Sequence, residues 1–228
     1  MSGGPAAVGA AAHAFVADLD SPVLAPEDRH HLERVLRLRR GEALTVSDGA
    51  GGWRSCTFDT ELRPAGDVMR EPAPVPRITV AFALLKGERP ELVVQKLTEL
   101  GVDRITPMVT ARCVVRWDGA RSGRHGDRLQ RVAREAAMQS RRSWLPIVDT
   151  VASFASVASQ PDAVLADAGG GPVDLDRPVV LVGPEGGWSP EEVACGRPTV
   201  GLAPNVLRAE TAAIAAGALL VAKRASLV

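Results

Sequence analysis

The residues best suited to chemistry lie in the stretch VVLVGPEGGWSPEE, from Val179 to Glu192. A run of branched apolar residues, typical of a buried strand, ends at Gly183, and Glu185 and two further glycines follow. Glycine can adopt positive φ and lets a ligand approach the backbone. A turn of this kind that carries an acid suits a ligand with hydroxyls, amides or a positive charge. A tight turn without a ligand explains the same residues, so both interpretations stay open.

The residues after this turn predict a helix start. Ser189 suits the N-cap, Pro190 suits the first helical position, and Glu192 completes a capping box. The stretch matches neither dinucleotide-binding GxGxxG nor a P-loop, because it lacks GK[ST] and its acid would repel phosphate. The chain also lacks the GxSxG elbow of α/β-hydrolases, which disfavours a hydrolytic or nucleotide-binding enzyme.

A second stretch, GLAPNVLRAETAAIAAGALL, has the same form. An apolar strand ends at Leu202, a loop spans 203–207, and Arg208 and Glu210 stand at a helix start. Alternatively, these two side chains form a surface ion pair that has no functional role and contributes little to protein stability. Small residues repeat along the helix, which allows close packing either inside the domain or against a second subunit.

The elements around these stretches indicate an α/β protein. Apolar strands alternate with helices after residue 78, which predicts a mostly parallel sheet covered on both faces. The proline-rich segment REPAPVPR, 70–77, predicts a linker. We therefore expect two domains, 1–73 and 74–228. In the first, a helix is predicted to end at Gly41 and a hairpin to follow it.

Composition narrows the function classes. The net charge is zero, but of the 27 basic residues all except Lys86, Lys96 and Lys223 are arginine, concentrated in 29–40 and 112–142. These segments are either phosphate-binding faces or solvated helix faces. The three cysteines are widely spaced and match neither a disulfide framework nor a zinc-binding pattern. We therefore expect a protein without a bound metal that works in the reducing cytoplasm. No signal peptide or membrane-spanning segment is expected.

GPEGG followed by VLRAETA resembles the ribosomal RNA small subunit methyltransferase E family. HHLERVLRLRRGE, DGAGG, LLKGERPELVVQKLTELGVDRITPMVTARCV and EAAMQSRR extend the resemblance from about His13 onward. It implies a C-terminal SPOUT-type knotted domain and a small N-terminal PUA-like β-barrel. The implied activity is S-adenosylmethionine-dependent methylation of N3 of a uridine in 16S rRNA of the small ribosomal subunit, by a cytoplasmic homodimer.

The resemblance also implies a donor pocket with two walls and a third edge. One wall comprises Gly183, Pro184, Glu185 and Gly187, the other comprises Leu202, Ala203, Val206, Leu207 and Arg208, and the edge lies at Ala166. The text ADAGGG after the third strand departs from the family, which usually has a histidine or an acidic pair there. A catalytically inactive two-domain RNA-binding protein is therefore the alternative.

The uridine N3–H is about as acidic as a phenol. The implied chemistry therefore requires that this proton be removed or that the resulting anion be stabilised. Arg208 is expected to stabilise the uridine anion, Glu210 to orient Arg208, and Glu185 to act as a base or to contact the donor amine. Alkyl transfer from a sulfonium requires alignment rather than a metal. The arginines expected to bind RNA are Arg29, Arg34, Arg37, Arg39, Arg112 and Arg142.

Overall fold

The computed structural model describes residues 4–117 and 119–228 and divides the chain into two compact units. The first ends at Ala73, within the proline-rich segment, and also includes Arg134–Leu145. The second comprises Pro74–Ala133 and Pro146–Val228. The sequence placed Arg134–Leu145 in the second domain because nothing in its composition marks a boundary. Residues 1–3 and Asp118 of the two predicted domains lie outside the described residues.

The first unit contains a five-stranded sheet in which β1 pairs with β2, β2 with β3, and β3 with both β4 and β5. The strands are β1 Ala12–Phe15, β2 Ala43–Ser47, β3 Gly52–Thr57, β4 Arg63–Pro64 and β5 Met69–Arg70. β2 and β3 form the predicted antiparallel hairpin. A short 3-10 helix, Pro5–Val8, precedes β1.

The predicted helix of the first unit ends earlier than expected. It runs as α1 over Pro26–His30 and widens into a π-helical turn over His31–Val35. The N–H of Leu36 donates to the carbonyl of His31, and Arg37 then adopts φ 54°. This left-handed residue ends the helix before Gly41, so the predicted boundary was wrong.

The second unit is built on a seven-stranded sheet whose strand pairs are all parallel, as the sequence predicted. The strands are β6 Thr79–Ala83, β7 Arg104–Val109, β8 Ile147–Val148, β9 Ala152–Ser153, β10 Ala163–Gly171, β11 Val179–Val182 and β12 Thr199–Val200. Their order is β12-β10-β11-β6-β7-β8, and β9 also pairs with β7. The loops after β10, β11 and β12 therefore begin at one edge of the sheet.

The helices of the second unit cover this sheet. They are α2 Arg89–Leu100, α4 Phe154–Ala158, α5 Pro190–Val193 and α6 Ala209–Arg224, and α3, Gly119–Gln139, ends within the first unit. The small residues of α6 allow close packing on α2, because a Cβ at Gly217 would lie 2.5 Å from Leu97 Cδ2. The close approach that the sequence left open is thus made inside the domain.

The sequence predicted neither a membrane-spanning segment nor a metal site. No helix in the described part of the chain is both long and apolar enough to cross a membrane. No group of three or more histidine, cysteine, aspartate or glutamate side chains in it could hold a metal ion.

Candidate active site

A pocket of about 200 Å³ opens where the middle of β10 meets the loops after β11 and β12. Its lining comes from β10, the end of β11, these two loops and the first turns of α6. The lining residues are Ala166, Asp167, Ala168, Val182, Gly183, Pro184, Glu185, Gly187, Trp188, Leu202, Ala203, Asn205, Val206, Leu207, Ala209 and Ala212. The two separate glycine-turn and VLRAET stretches are therefore the two walls of one pocket.

The glycine turn is held in a single backbone conformation. Gly187 has φ 68°, and its N–H donates to the carbonyl of Pro184 at 2.9 Å. A Cβ at Gly183 would lie 3.2 Å from the ring of Trp188, so glycine is needed there for close packing. The predicted capping box is present: the Ser189 hydroxyl accepts from the N–H of Glu192 at 3.2 Å, and the Glu192 carboxylate accepts from the N–H of Ser189 at 2.8 Å.

Trp188 joins this turn to β10. Its Nε1–H donates to the carbonyl of Ala166 at 3.0 Å, and its side chain is buried. The end of β10 is held against β12 as well, because a Cβ at Gly170 would come within 2.5 Å of the Val200 backbone. Gly170 of ADAGGG thus allows close contact with the neighbouring strand.

The loop after β7 supports the turn from another side. Arg112 Nη1 donates to the carbonyl of Gly186 at 2.8 Å, and the N–H of Ala111 donates to Glu192 Oε1 at 2.7 Å. Hydrogen bonds from its own backbone N–H and from Ser189 lower the pKa of Glu191, and Arg112 adds a favourable charge. The turn is therefore fixed by groups distant in sequence.

The comparisons with known proteins agree with this geometry. An RNA methyltransferase domain model matches residues 71–221, and an RNA methyltransferase PUA domain model matches residues 24–58. The chain is 36% identical over 219 residues to ribosomal RNA small subunit methyltransferase E of Mycobacterium bovis, covering 85% of this chain and 83% of the relative. The chain belongs to the ribosomal RNA small subunit methyltransferase E family.

Solved structures confirm the predicted fold class, a SPOUT-type domain with a smaller PUA-type domain. A methyltransferase from Legionella pneumophila in complex with the cofactor SAM superposes with TM-score 0.79, at 29% identity, covering 92% of this chain and 97% of that one. Ribosomal RNA small subunit methyltransferase E from Neisseria gonorrhoeae, bound to S-adenosyl methionine, superposes with TM-score 0.73 at 26% identity, covering 93% and 97%.

Of the ten residues expected to hold the donor in this family member, all except Arg208 line the pocket. Arg208 is instead the exposed N-cap of α6, with extended backbone. In the described part of the chain its side chain forms no ion pair. Glu210, expected to orient it, has a different partner: its carboxylate lies 3.8 Å from Arg89 Nε. Glu185 accepts a hydrogen bond from Arg89 Nη1 at 2.9 Å.

The arginines expected to bind RNA have different surroundings. Arg34, Arg37 and Arg39 are exposed in the first unit. Arg29 is half-buried, donates to the carbonyl of Asp59 at 3.1 Å, and lies over the Phe58 ring, so its guanidinium has a packing role. Arg142, half-buried, also belongs to the first unit, and its carbonyl contacts His13 Nε2 at 3.1 Å. Arg112 contacts the glycine turn of the second unit.

No pocket role was predicted for Trp188, Asn205 or Arg89. Trp188 follows the glycine turn directly, and Asn205 lies inside the predicted loop, so proximity in sequence was the available signal. Arg89 lies 96 residues before Glu185 and had no such signal.

Proposed function

We propose that this chain transfers a methyl group from S-adenosylmethionine to N3 of a uridine in 16S rRNA of the small ribosomal subunit. The observation that carries the proposal is the convergence of the two family motifs on one pocket. Two similar family structures, from Legionella pneumophila and Neisseria gonorrhoeae, contain the same donor. The alternative, an inactive RNA-binding protein, would not need an intact donor pocket.

The pocket residues suit this donor chemically. Val182, Leu202 and Leu207 supply apolar surface for a planar base. Within the described residues, the N–H groups of Val206 and Leu207 donate to no other protein group, so they are available to a ligand. Glu185 supplies negative charge for a cationic ligand. The donor, when bound, supplies an electrophilic methyl group.

The chain's own contribution to catalysis is to orient the acceptor and to stabilise the charge that develops on it. Arg208 stands at the start of α6, beside the pocket residues Leu207 and Ala209, and its guanidinium is exposed. We assign it the stabilisation of the uracil oxygens as the N3 proton leaves. Glu185 is paired with Arg89, which favours a role in binding the donor amine over one as a base.

The substrate is expected to bind through exposed arginines. Arg34, Arg37 and Arg39 lie in the part of the chain that contains the PUA domain match and present guanidinium groups to solvent. Such groups suit phosphate oxygens. We assign them to RNA backbone contacts, and since ribosomal RNA is the proposed substrate, we propose that the protein acts in the cytoplasm.

We also propose that the chain forms a homodimer through α6. Ile214, Ala215 and Ala218 on this helix are only half-buried in one copy, and Val206 is 90% exposed. A second copy would cover this apolar surface. Size-exclusion chromatography with light scattering should give twice the 24.0 kDa of one chain. A monomer at micromolar concentration would overturn this part of the proposal.

The main experiment is mass spectrometry of 16S rRNA after small subunits from a strain lacking the enzyme are incubated with the protein and S-adenosylmethionine. We expect one N3-methyluridine to appear, and Arg208→Ala to slow its formation at least tenfold. Arg177→Ala, an exposed arginine outside the pocket lining, is the matched control. Absence of the product together with no measurable S-adenosylmethionine binding by the wild-type protein would favour the inactive RNA-binding protein.

A further inference from the structure

Arg89, the first residue of α2, contacts acidic side chains from both walls of the pocket. Its Nη1 lies 2.9 Å from Glu185 Oε1, and its Nε lies 3.8 Å from Glu210 Oε1. Glu185 belongs to the glycine turn, whereas Glu210 is the second residue of α6 and follows the loop 203–207. One guanidinium from a third segment therefore joins the two walls.

The environment of Glu210 makes this contact more than an ordinary surface ion pair. The Glu210 side chain is 13% exposed. Its Oε2 is buried and has no hydrogen-bond partner among the described residues. A carboxylate largely removed from water needs a nearby cation or hydrogen-bond donors to remain charged at low cost. Arg89 is the cation that the structure places beside it.

We propose that Arg89 is a positioning residue that fixes the spacing between the two walls of the donor pocket. This inference rests on the proposed function, because it assigns Arg89 to donor binding. The planar guanidinium directs a hydrogen bond to Glu185 at 2.9 Å and attracts Glu210 by charge at 3.8 Å, so one group restrains the acids of both walls. A lysine would supply the charge without that arrangement.

The alternative is that the contact between Arg89 and Glu185 has no consequence for the pocket. Their side chains are 42% and 55% exposed, and exposed ion pairs generally contribute little. The two interpretations differ in coupling: a positioning role makes the effects of Arg89 and Glu185 on donor affinity depend on each other, whereas an inconsequential contact leaves them independent.

The test is a double-mutant cycle on S-adenosylmethionine binding, measured by isothermal titration calorimetry with the full chain. We expect Arg89→Ala to raise the Kd for S-adenosylmethionine about tenfold, because the whole guanidinium is lost. Arg89→Lys should raise it about threefold, because lysine keeps the charge but not the planar arrangement of N–H groups. Arg89→Ala should add little once Glu185→Gln is present. Arg128→Ala is the matched control, because Arg128 pairs with Glu88 and Glu91 at the same helix start, at 3.5 and 3.0 Å. It should leave Kd unchanged.

Kinetics and stability separate positioning from misfolding. In steady-state methylation below the unfolding temperature, Arg89→Ala should raise KM for S-adenosylmethionine and leave KM for the small subunit unchanged. Its unfolding temperature should fall, because Glu210 loses its cation, but unfolding should stay cooperative. Wild-type affinity in Arg89→Ala, or additive effects of Arg89→Ala and Glu185→Gln, would overturn the inference. If the wild-type protein binds the donor but methylates no 16S rRNA, the proposed function fails while the binding cycle still tests Arg89.

Discussion

The carboxylate of Glu192 accepts a hydrogen bond from the backbone N–H of Ala111, at 2.7 Å, across 81 residues of sequence. Its second oxygen accepts from the N–H of Ser189 at 2.8 Å. One side chain, 6% exposed, thereby caps the helix after the glycine turn and ties that turn to the loop after β7. Glu192 does not line the pocket, but it supports the glycine turn that does.

Replacing Glu192 with glutamine should destabilise the protein by about 1–3 kcal/mol, because an amide has one acceptor oxygen for two backbone donors and leaves one of them buried and unpaired. Urea unfolding measures the effect, and calorimetry should show weaker S-adenosylmethionine binding. The exposed neighbour provides the comparison: Glu191→Gln should cost less stability than Glu192→Gln, because its carboxylate faces solvent. Equal stability of the two variants would contradict this prediction.

Gly187→Ala should weaken donor binding and cost about 1–2 kcal/mol of stability, because Gly187 has φ 68° and an L-residue is strained there. A Cβ at this position would meet no atom within 4 Å, so the cost comes from the backbone and not from a clash. Gly66→Ala, which also meets no atom and lacks positive φ, is the matched control for thermal unfolding. A neutral Gly187→Ala would show that the turn can rearrange.

Gly217→Val should destabilise the second unit by about 1–3 kcal/mol through overpacking. Its Cβ would lie 2.5 Å from Leu97 Cδ2 and 3.0 Å from Val102 Cγ2, so α6 would have to move away from α2. Gly126→Ala in α3 meets open space and should instead stabilise by up to about 1 kcal/mol, since alanine favours helix. Denaturant unfolding of both variants checks the difference in sign.

His13 should make the protein less stable in mild acid. Burial lowers its pKa from 6.5 to about 4, opposed by the hydrogen bond with the Arg142 carbonyl. Between these values the unfolded chain binds more protons than the folded chain. His13 therefore supports the fold fully above about pH 6.5, and this contribution falls by up to about 3 kcal/mol as the pH drops towards 4.

Urea unfolding at a series of pH values measures this dependence. His13→Gln keeps a polar side chain near Thr45 and Ser47, whose hydroxyls lie 2.8 and 3.0 Å from the imidazole nitrogens, but it cannot titrate. This variant should be less stable at pH 7 and should show a flatter pH dependence between 4 and 6.5. An unchanged slope would assign the acid sensitivity to other groups.

Local sequence predicted the elements whose causes are local. The capping box at Ser189 and Glu192 was confirmed because its partners are three residues apart. The end of α2 at Gly101, with φ 104°, was confirmed for the same reason: one glycine supplies the left-handed residue that ends the helix. The hairpin of β2 and β3 likewise follows from alternation around a short turn.

Contacts between distant segments were not predictable in this way. Arg112 was assigned to RNA from local arginine density, but its guanidinium donates to Gly186, 74 residues later. Glu210 was assigned to Arg208, two residues away, but it pairs with Arg89 of α2. In both cases the partner lies on a segment that only the order of strands brings near.

The sequence by itself determined the hairpin of the first unit, the apolar parallel strands of the second, the glycine turn, the arginine-bearing turn and the family to which the chain belongs. These features depend on residue type and on spacing of a few positions. The tertiary structure decided that β10 lies between β11 and β12, so that β10 and the loops after its two neighbours form one pocket. It also decided that Arg89, Ala111 and Arg112 contact the glycine turn or the helix that follows it. The physical reason is that strand order and helix packing bring together groups far apart in sequence, whereas local residue patterns specify contacts only between near neighbours.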